Sequence, residues 1–286
     1  MPELPEVETI ARGVDARVRG DRIAEAWFGS HPEPFKTPPA MQAGGLEGRT
    51  ILRVHRTGKH IVCELAGAPG KAARGGQRKG AVEPNAQWIV HLGMTGRLLV
   101  TTPEAPQAPH THARLRLESG RELRFVDPRR FGRLEFRELA TAAGFGAPGM
   151  EPLRVDMEEF AGLFRGRRTA IKAALLNQGL LSGVGNIYAD ESLFRAGIRP
   201  RRRAAGLSRR ELERLRVALK AVLEHAIRRG GSSVSDYVDA EGVRGFFQSE
   251  HRVYQRTGQP CLVCGSAIRR VTVAGRSTHY CPKCQR

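Results

Sequence analysis

The sequence predicts an α+β protein of several domains: an N-terminal helix with a β domain, then a helical domain, then a small cysteine-containing module. Three observations predict this fold class. Eight short strand-like runs fill the first half, amphipathic helical patterns fill the second, and four cysteines stand together near the C-terminus. With 286 residues, of which 40% are hydrophobic, the chain is long enough to build two separate cores.

The first predicted element is a helix that begins near Pro5 and ends before Gly20. Its apolar residues recur at helical spacing: Leu4, Val7, Ile10, Ala11, Val14 and Val18. Eight strand-like runs follow, and they begin at Arg22, Thr50, His60, Gln87, Gly96, Ala113, Arg121 and Gly132. Short strands in such a series are typical of a sandwich or a barrel, with the helix packed against it. Residues 67–85, rich in Gly, Ala and basic side chains, predict a flexible surface loop.

After about residue 149 the pattern changes to helices. Four polar residues are expected to cap them: Asp156, Thr169, Asn186 and Ser208. The first and the last are followed three residues later by Glu, which completes a capping box. The helix after Ser208 is long and amphipathic, and two glycines end it.

The chain is strongly basic. Lys and Arg number 47 against 29 Asp and Glu, which gives a formal net charge of +18 and a pI of about 10.8. This excess favours a polyanionic partner, and nucleic acid ranks before an anionic membrane surface because no basic amphipathic helix stands out. A basic protein with an ordinary solvated surface is the remaining interpretation. No run is apolar enough to span a membrane or to act as a signal segment, so we expect a cytoplasmic location.

The N-terminus, MPELPEVET, carries a candidate nucleophile. Removal of Met1 would leave Pro2 with a free secondary amine. An α-amino group has a reference pKa of about 7.7 to 8.0, so a fraction of it is unprotonated near neutral pH. Carboxylates follow closely at Glu3, Glu6 and Glu8, and we expect Glu8 to be a solvated surface residue.

The cysteines predict a metal site. The pattern is Cys-x2-Cys, sixteen residues, Cys-x2-Cys, formed by Cys261, Cys264, Cys281 and Cys284. Four thiolates can surround one zinc ion and leave no open coordination position, so this zinc would be structural. The basic hairpin between the two pairs could contact a phosphate backbone or a protein. Cys63, alone in an apolar run, is predicted to be a buried core thiol.

Three turn motifs carry further candidates. NQGLLSGVGNIYADESLF joins two helices, and the second begins at Asn186, where helix N–H groups suit a phosphate. The same shape occurs in many proteins without this function. HLGMTG and DPRRFG place Met94, Arg129 and Phe131 at strand ends. Apolar side chains beside Arg are typical of wedges inserted between base pairs, but core Met and Phe residues give the same pattern.

Together these motifs resemble the formamidopyrimidine-DNA glycosylases, repair enzymes that remove oxidised purines. PELPEVET, HLGMTG, DPRRFG, GVGNIYADESLF and the four-cysteine finger occur in the family's order, and only the segment around 67–85 is longer than expected. The resemblance implies an α+β fold with an N-terminal helix, an eight-stranded β-sandwich, a helical domain with a helix-two-turn-helix motif, and a zinc finger. The implied boundaries are 2–140 for the catalytic domain, 141–155 for a linker, 156–250 for the helical domain and 251–286 for the zinc-finger hairpin.

The resemblance also implies a chemistry. In the family, the nitrogen of the N-terminal proline attacks C1′ of the damaged nucleotide, the base leaves, and a Schiff base to the sugar remains. Successive β- and δ-eliminations then cut the strand. Pro2 matches this nucleophile, Glu3 the acid–base residue, Glu6 a supporting carboxylate and Lys59 the catalytic-loop lysine. The implied cofactor is one structural zinc ion, and the implied molecule is a monomer.

The implied partner is double-stranded DNA that contains oxidised bases or abasic sites. A base inside a duplex must be flipped out before it can be excised. The residues that match phosphate contacts are His91, Asn186, Tyr254 and Arg276. Those that match the side chains filling the vacated stack are Met94, Arg129 and Phe131. Residues 232–247 correspond to the loop that closes over the extruded base.

Two alternatives stay open at the level of sequence. The endonuclease VIII branch of the superfamily prefers oxidised pyrimidines and shares the proline, the two-helix motif and often the zinc finger, although PELPEVET and DPRRFG argue against it. A non-catalytic zinc-finger DNA-binding protein would use the same basic surface but would need neither Pro2 nor Glu3. Strand cleavage at an abasic site separates an enzyme from such a protein.

Overall fold

The structure is a computed structural model that describes residues 1–31, 34–67, 82–233 and 237–286. It divides into two compact units. The first contains residues 1–2, 6–146 and 233–245, and the second contains residues 3–5, 147–232 and 246–286. Most of the predicted flexible loop at 67–85 lies outside the described residues, since 68–81 are not among them.

The first unit contains nearly all of helix α1 (Leu4–Val18), a short helix α2 (Pro39–Leu46) and eight strands. The strands are β1 (Ile23–Phe28), β2 (Thr50–Thr57), β3 (His60–Ala66), β4 (Ala86–His91), β5 (Arg97–Thr101), β6 (Thr111–Leu117), β7 (Glu122–Val126) and β8 (Arg133–Glu138). All eight match predicted runs. The sequence pattern did not predict α2, because its sequence PAMQAGGL contains one proline and two glycines, which disfavour a helix.

The strands form two antiparallel sheets with the orders β1-β6-β7-β5 and β2-β3-β4-β8. Side chains of both sheets and of α1 share one apolar cluster, in which Trp88 and Phe125 are among the largest fully buried members. The prediction of an eight-stranded sandwich with the helix packed against it is therefore confirmed. Cys63 lies in this cluster as predicted, and burial raises the pKa of its thiol to about 12.

Part of the predicted closing loop, residues 232–247, is anchored in the first unit. The N–H of Val100 donates to the carbonyl of Ala240 at 3.0 Å, and both Ala240 and Tyr237 belong to the apolar cluster. Arg17 of α1 forms an ion pair with Glu241. Residues 237–241 are therefore fixed to α1 and β5, whereas residues 234–236 lie outside the described chain.

The second unit is mainly helical. Its helices are α3 (Met157–Phe164), α4 (Ile171–Leu176), α5 (Asn186–Ala196) and α6 (Arg209–Arg228), and strands β9 (Arg269–Val273) and β10 (Arg276–Tyr280) form an antiparallel hairpin. None of the helices among the described residues has the length and apolar character needed to cross a membrane.

Two of the four predicted helix caps are confirmed. Asp156 and Ser208 both form complete capping boxes at the starts of α3 and α6. The predictions for Thr169 and Asn186 are wrong, because the N-cap residues of α4 and α5 are Ala170 and Gly185, and neither makes a side-chain cap bond. Asn186 is instead the first residue of α5, and its amide nitrogen donates to the carbonyl of Ser277 at 3.0 Å.

Candidate functional site

The side chain of Glu3 is held at the start of α5. It is 4% exposed, and its Oε1 and Oε2 accept the N–H groups of Ile187 and Tyr188 at 3.1 and 3.5 Å. A helix leaves its first N–H groups without internal partners, and its positive end favours a carboxylate. The sequence predicted a phosphate at these N–H groups. The structure corrects this prediction, since the carboxylate of Glu3 occupies them.

Two glycines ahead of α5 make room for the N-terminal residues. Gly183 has a φ of +95°, and its carbonyl accepts the N–H of Leu4 at 3.0 Å. A Cβ at Gly185 would lie 2.1 Å from Cδ of Glu3, and one at Gly183 would lie 2.9 Å from Cβ of Leu4. Only glycine allows so close an approach. Residues 183–185 (GVG), which the sequence predicted only as part of a turn, therefore form the surface against which Glu3 and Leu4 pack.

The first unit holds the other predicted catalytic residues. Pro2 is buried, and Glu6 is 2% exposed in the first turn of α1. Lys59 is 8% exposed and lies in the turn between β2 and β3, where Gly58 adopts a φ of +61°. These three residues are thus largely withdrawn from solvent.

Glu8 is not the solvated residue that the sequence predicted. Its carboxylate forms ion pairs with Arg12 at 2.7 Å and with Arg56 at 2.8 Å. Burial alone would raise the pKa of Glu8, but the two guanidinium groups outweigh burial and hold it below its usual value. Glu8 therefore ties α1 to β2 and has no free carboxylate to offer to a substrate.

Asp127 fastens the motifs HLGMTG and DPRRFG together. Its fully buried carboxylate accepts the hydroxyl of Thr95 at 2.6 Å and the N–H of Gly132 at 2.7 Å. At Gly93, which has a φ of +60°, a Cβ would lie 2.4 Å from the backbone carbon of Phe131. The two loops are thus packed back to back. Sequence reasoning missed this role of Asp127, although its position directly before the turn proline was a usable signal.

Met94, Arg129 and Phe131 project from these two loops. Met94 is 41% exposed and Phe131 is 49% exposed, so the alternative that they are ordinary core residues is wrong. The guanidinium of Arg129, also exposed, lies 4.8 Å from the centre of the Phe131 ring. An exposed Met, Phe and Arg on a rigid pair of turns is the arrangement expected of side chains that enter a base stack.

His91, at the end of β4, is a neutral hydrogen-bond donor. Burial, with smaller electrostatic contributions from His60, Lys59 and Arg133, lowers its pKa to about 4. Its Nδ1 lies 3.2 Å from the N–H of Gly93 and accepts it, so the ring proton resides on Nε2. The Nε2–H group can therefore donate to a phosphate oxygen throughout the physiological pH range.

The second unit brings the other three predicted phosphate contacts together. The amide of Asn186 reaches the carbonyl of Ser277, and Ser277 follows the exposed Arg276 in β10. The ring of Tyr254 meets the ring of His279, also in β10, edge to face with 5.2 Å between centroids. Asn186, Tyr254 and Arg276 thus all lie at one strand.

Two buried acids of α5, which sequence reasoning did not single out, hold β10 and the segment that contains Tyr254. Asp190 forms a fully buried ion pair with Lys172 at 2.7 Å and accepts the N–H of His279 at 2.8 Å. Glu191 accepts the N–H groups of residues 252–254 at 2.8 to 3.0 Å. The signal available in the sequence was the acidic pair inside the otherwise apolar run IYADESLF.

The four clustered cysteines fit one structural zinc ion. The Sγ atoms of Cys261, Cys264, Cys281 and Cys284 all lie within 4.8 Å of one another. Zn–S bonds of about 2.3 Å in a tetrahedron require sulfur atoms about 3.8 Å apart. The separation is 3.9 Å between Cys261 and Cys284 and 3.4 Å between Cys264 and Cys281. The predicted zinc site is therefore present in the fold.

Comparison with known proteins identifies the family. Residues 1–134 match the formamidopyrimidine-DNA glycosylase N-terminal domain, 148–238 its H2TH domain, and 258–286 the zinc finger found in FPG and IleRS. A formamidopyrimidine-DNA glycosylase of Solibacter usitatus is 46% identical over 286 residues, which is 100% of both chains. One of Moorella thermoacetica is 45% identical and covers 95% of this chain. The chain belongs to the formamidopyrimidine-DNA glycosylase family.

Solved structures of the family agree with this assignment. A Lactococcus lactis FPG bound to DNA containing Fapy-dG has a TM-score of 0.85 and 32% identity, with 100% of both chains covered. The FPG protein of Thermus thermophilus has a TM-score of 0.82 and 40% identity, with 99% and 98% covered. The chain is thus a DNA glycosylase of base excision repair with the predicted fold. The alternative of a non-catalytic zinc-finger protein is wrong.

Replacing Cys264 with Ser is expected to lower the zinc content from one ion per chain to well below one. The freed hairpin should no longer present Arg276, so affinity for duplex DNA should fall by about tenfold or more. Metal analysis and a binding titration measure both effects. Cys63→Ala removes a thiol outside the cluster and should keep the zinc. Active Cys264→Ser protein with unchanged DNA affinity would contradict the assigned role of the finger.

Proposed function

We propose that this glycosylase excises oxidised purines from duplex DNA and then cleaves the strand at the abasic site that remains. The observation that carries the proposal is the fixed carboxylate of Glu3, which directly follows the candidate nucleophile Pro2 in the chain. Structures of the Lactococcus lactis FPG with DNA containing Fapy-dG or an abasic site support both steps.

The proposed reaction begins at the Pro2 nitrogen after removal of Met1. Its lone pair forms a bond to C1′ while the glycosidic bond breaks, and the base leaves with the bonding electrons and takes up a proton. The ring oxygen O4′ then leaves C1′ and is protonated, and an iminium between Pro2 and the opened sugar remains. Glu3 is assigned the proton transfers at the sugar, because its carboxylate is held in one orientation by backbone N–H groups.

The iminium makes the C2′ protons acidic because it withdraws electrons from the adjacent carbon. Removal of one C2′ proton expels the 3′ phosphate, and later removal of a C4′ proton expels the 5′ phosphate. Hydrolysis of the remaining iminium frees Pro2. Glu6 supports the N-terminal segment, and Lys59 is assigned to a phosphate or to a leaving oxygen, as its cationic side chain allows.

The proposed contacts to DNA come from residues of both units. Phosphates are assigned to the donors His91, Asn186, Tyr254 and Arg276. Met94, Arg129 and Phe131 are assigned to the space that the flipped nucleotide vacates. Residues 232–247 are assigned to the extruded base. We also keep the predicted domain limits, which are 2–140 for the catalytic domain, 141–155 for the linker, 156–250 for the helical domain and 251–286 for the zinc-finger hairpin. We further propose that the protein acts as a monomer in the cytoplasm, where its DNA substrate is located.

The specificity for purines is tested with matched duplexes. One contains 8-oxoguanine opposite cytosine, and the other contains an oxidised pyrimidine opposite its normal partner. We expect single-turnover excision to be at least about tenfold faster on 8-oxoguanine, since a pocket built for a substrate's polar groups discriminates by this factor or more. A duplex with an abasic site should be cut on both sides of the sugar.

An oxidised pyrimidine excised equally fast or faster would favour the endonuclease VIII-like alternative. This alternative has one observation in its favour, because a structure of the Lactococcus lactis FPG contains DNA with an oxidised pyrimidine. Excision of 8-oxoguanine without cleavage of the abasic strand would contradict the lyase half of the proposal alone.

A further inference from the structure

Three arginine-rich segments lie side by side in the second unit. The N–H of Ile171 donates to the carbonyl of Arg202 at 2.7 Å, and the N–H of Ala204 donates to the carbonyl of Thr169 at 2.9 Å. These bonds pair the start of α4 with the segment that follows α5. The guanidinium of Arg201 then reaches the carbonyl of Thr272 in β9 at 3.4 Å. Residues 167–171, 199–205 and strand β9 therefore form one continuous surface.

This surface carries exposed positive charge without local compensation. Its exposed arginines include Arg168, Arg201, Arg203 and Arg269, which we call the arginine surface, and Arg167, Arg199 and Arg270 are exposed beside them. The segments 165–171, 199–205 and 269–276 contain no Asp or Glu. No described carboxylate forms an ion pair with these four arginines, whereas the neighbouring Arg202 pairs with Glu211. Uncompensated like charges repel one another, which disfavours the folded state unless a polyanion binds there.

The arginine surface continues the proposed phosphate contacts. Arg201 contacts Thr272, Thr272 pairs with Ser277 across the hairpin, and the carbonyl of Ser277 accepts the amide of Asn186. Adjacent strands are about 4.8 Å apart, and a hydrogen bond extends from the hairpin on each side. The guanidinium of Arg201 therefore lies on the order of 10 Å from the side-chain amide of Asn186. Duplex DNA carries about one negative charge per 1.7 Å of its axis. A duplex held at Asn186 and Arg276 therefore offers further phosphates within this distance.

We propose that the arginine surface binds phosphates of the duplex that flanks the lesion, outside the nucleotides next to the flipped base. This inference rests on the proposed function, because it takes lesion-containing duplex as the substrate. The segments 167–171 and 199–205 form no amphipathic helix with an apolar face, which a membrane-binding surface would require. The chemistry of the surface, a group of exposed guanidinium groups, fits a phosphate backbone.

The test compares the parent with the triple variant Arg201→Gln/Arg203→Gln/Arg269→Gln. Affinity for a duplex with a stable abasic-site analogue is titrated over a range of KCl concentrations, once with long flanks and once with flanks of a few base pairs. Each lost phosphate contact should make the slope of log K against log[salt] less negative by about 0.9. On the long duplex we expect a total change of about 2 to 3, and on the short duplex a change near zero.

A matched control removes the same charge elsewhere in the second unit. Arg195, Arg210 and Arg228 are exposed and lie outside the three segments, so their combined change to Gln should leave the slope on the long duplex close to that of the parent. Equal slopes for the parent and the first triple variant would overturn the inference, as would equal losses on both duplexes or in both triple variants. Selective loss of binding to anionic vesicles, with DNA binding intact, would overturn it in favour of a membrane.

Failure of the inference can be told apart from failure of the proposed function. If the parent excises 8-oxoguanine and cleaves abasic DNA but the slopes are equal, only the arginine surface is misassigned. If the triple variant shows the expected slope change on the long duplex but the parent excises no lesion, the catalytic proposal fails while the surface keeps its role in DNA binding.

Discussion

An N-terminal extension that precedes Pro2 is expected to abolish covalent trapping on abasic-site DNA. The extension turns the secondary amine into an amide, whose nitrogen has no basic lone pair for attack at C1′. Met1 is 50% exposed, so a chain ahead of Pro2 can reach solvent without entering the core. Borohydride reduction followed by denaturing electrophoresis should show the trapped complex with processed protein and none with extended protein. Excision should fall by about a thousandfold or more.

The matched control for this experiment is Pro2→Gly. This variant keeps a free α-amine, which is now primary because the proline ring is lost. It should still form a trapped complex, although more slowly. The extended protein should bind a stable abasic-site analogue with an affinity within a few fold of the parent, because none of the proposed phosphate contacts has been changed. Equal trapping by extended and processed protein would remove Pro2 from the mechanism.

Gly185→Ala is expected to reduce excision by about a hundredfold or more, although the residue touches no reacting atom. Its new Cβ would lie 2.1 Å from Cδ and 2.4 Å from Oε1 of Glu3, a distance that no relaxed structure allows. Glu3 would have to leave the N–H groups of Ile187 and Tyr188, and a displaced Glu3 could not make the proton transfers that we propose for it. Single-turnover kinetics on 8-oxoguanine measures this effect.

Gly162→Ala is the control for the same change in the same unit. Gly162 lies in α3, and a Cβ there meets no atom within 4 Å, so activity should match the parent. DNA affinity and thermal unfolding of Gly185→Ala separate a misplaced Glu3 from a misfolded protein. A folded Gly185→Ala protein with full activity would show that the position of Glu3 in this structure has no part in catalysis.

The sequence predicted those features that depend on local chemistry. Short strand-like runs separated by turn residues predicted all eight strands, and the spacing of Asp156 to Glu159 and of Ser208 to Glu211 predicted two capping boxes. The cysteine spacing gave the zinc site. In each case the interacting residues are near in sequence or repeat at a fixed period, so that the pattern is readable without the fold.

The features that the sequence did not predict depend on distant partners. The cap predicted at Asn186 failed because its amide is used by Ser277, 91 positions later. The N–H groups of α5, predicted to bind a phosphate, are taken by Glu3, 184 positions before Ile187. Glu8 was expected in solvent because Arg56 is not near it in sequence. No local pattern reports such pairings, since they arise only when the chain has folded.

The contact of Glu3 with the start of α5 also has a consequence for the order of events during protein synthesis. The ribosome makes Pro2 and Glu3 first, but residues 183–188, which receive Glu3 and Leu4, emerge only after more than half of the chain. Until then the carboxylate of Glu3 has no fixed position. A nascent or prematurely ended chain therefore carries the proposed nucleophile Pro2 without the fixed Glu3 carboxylate on which the proposed reaction depends.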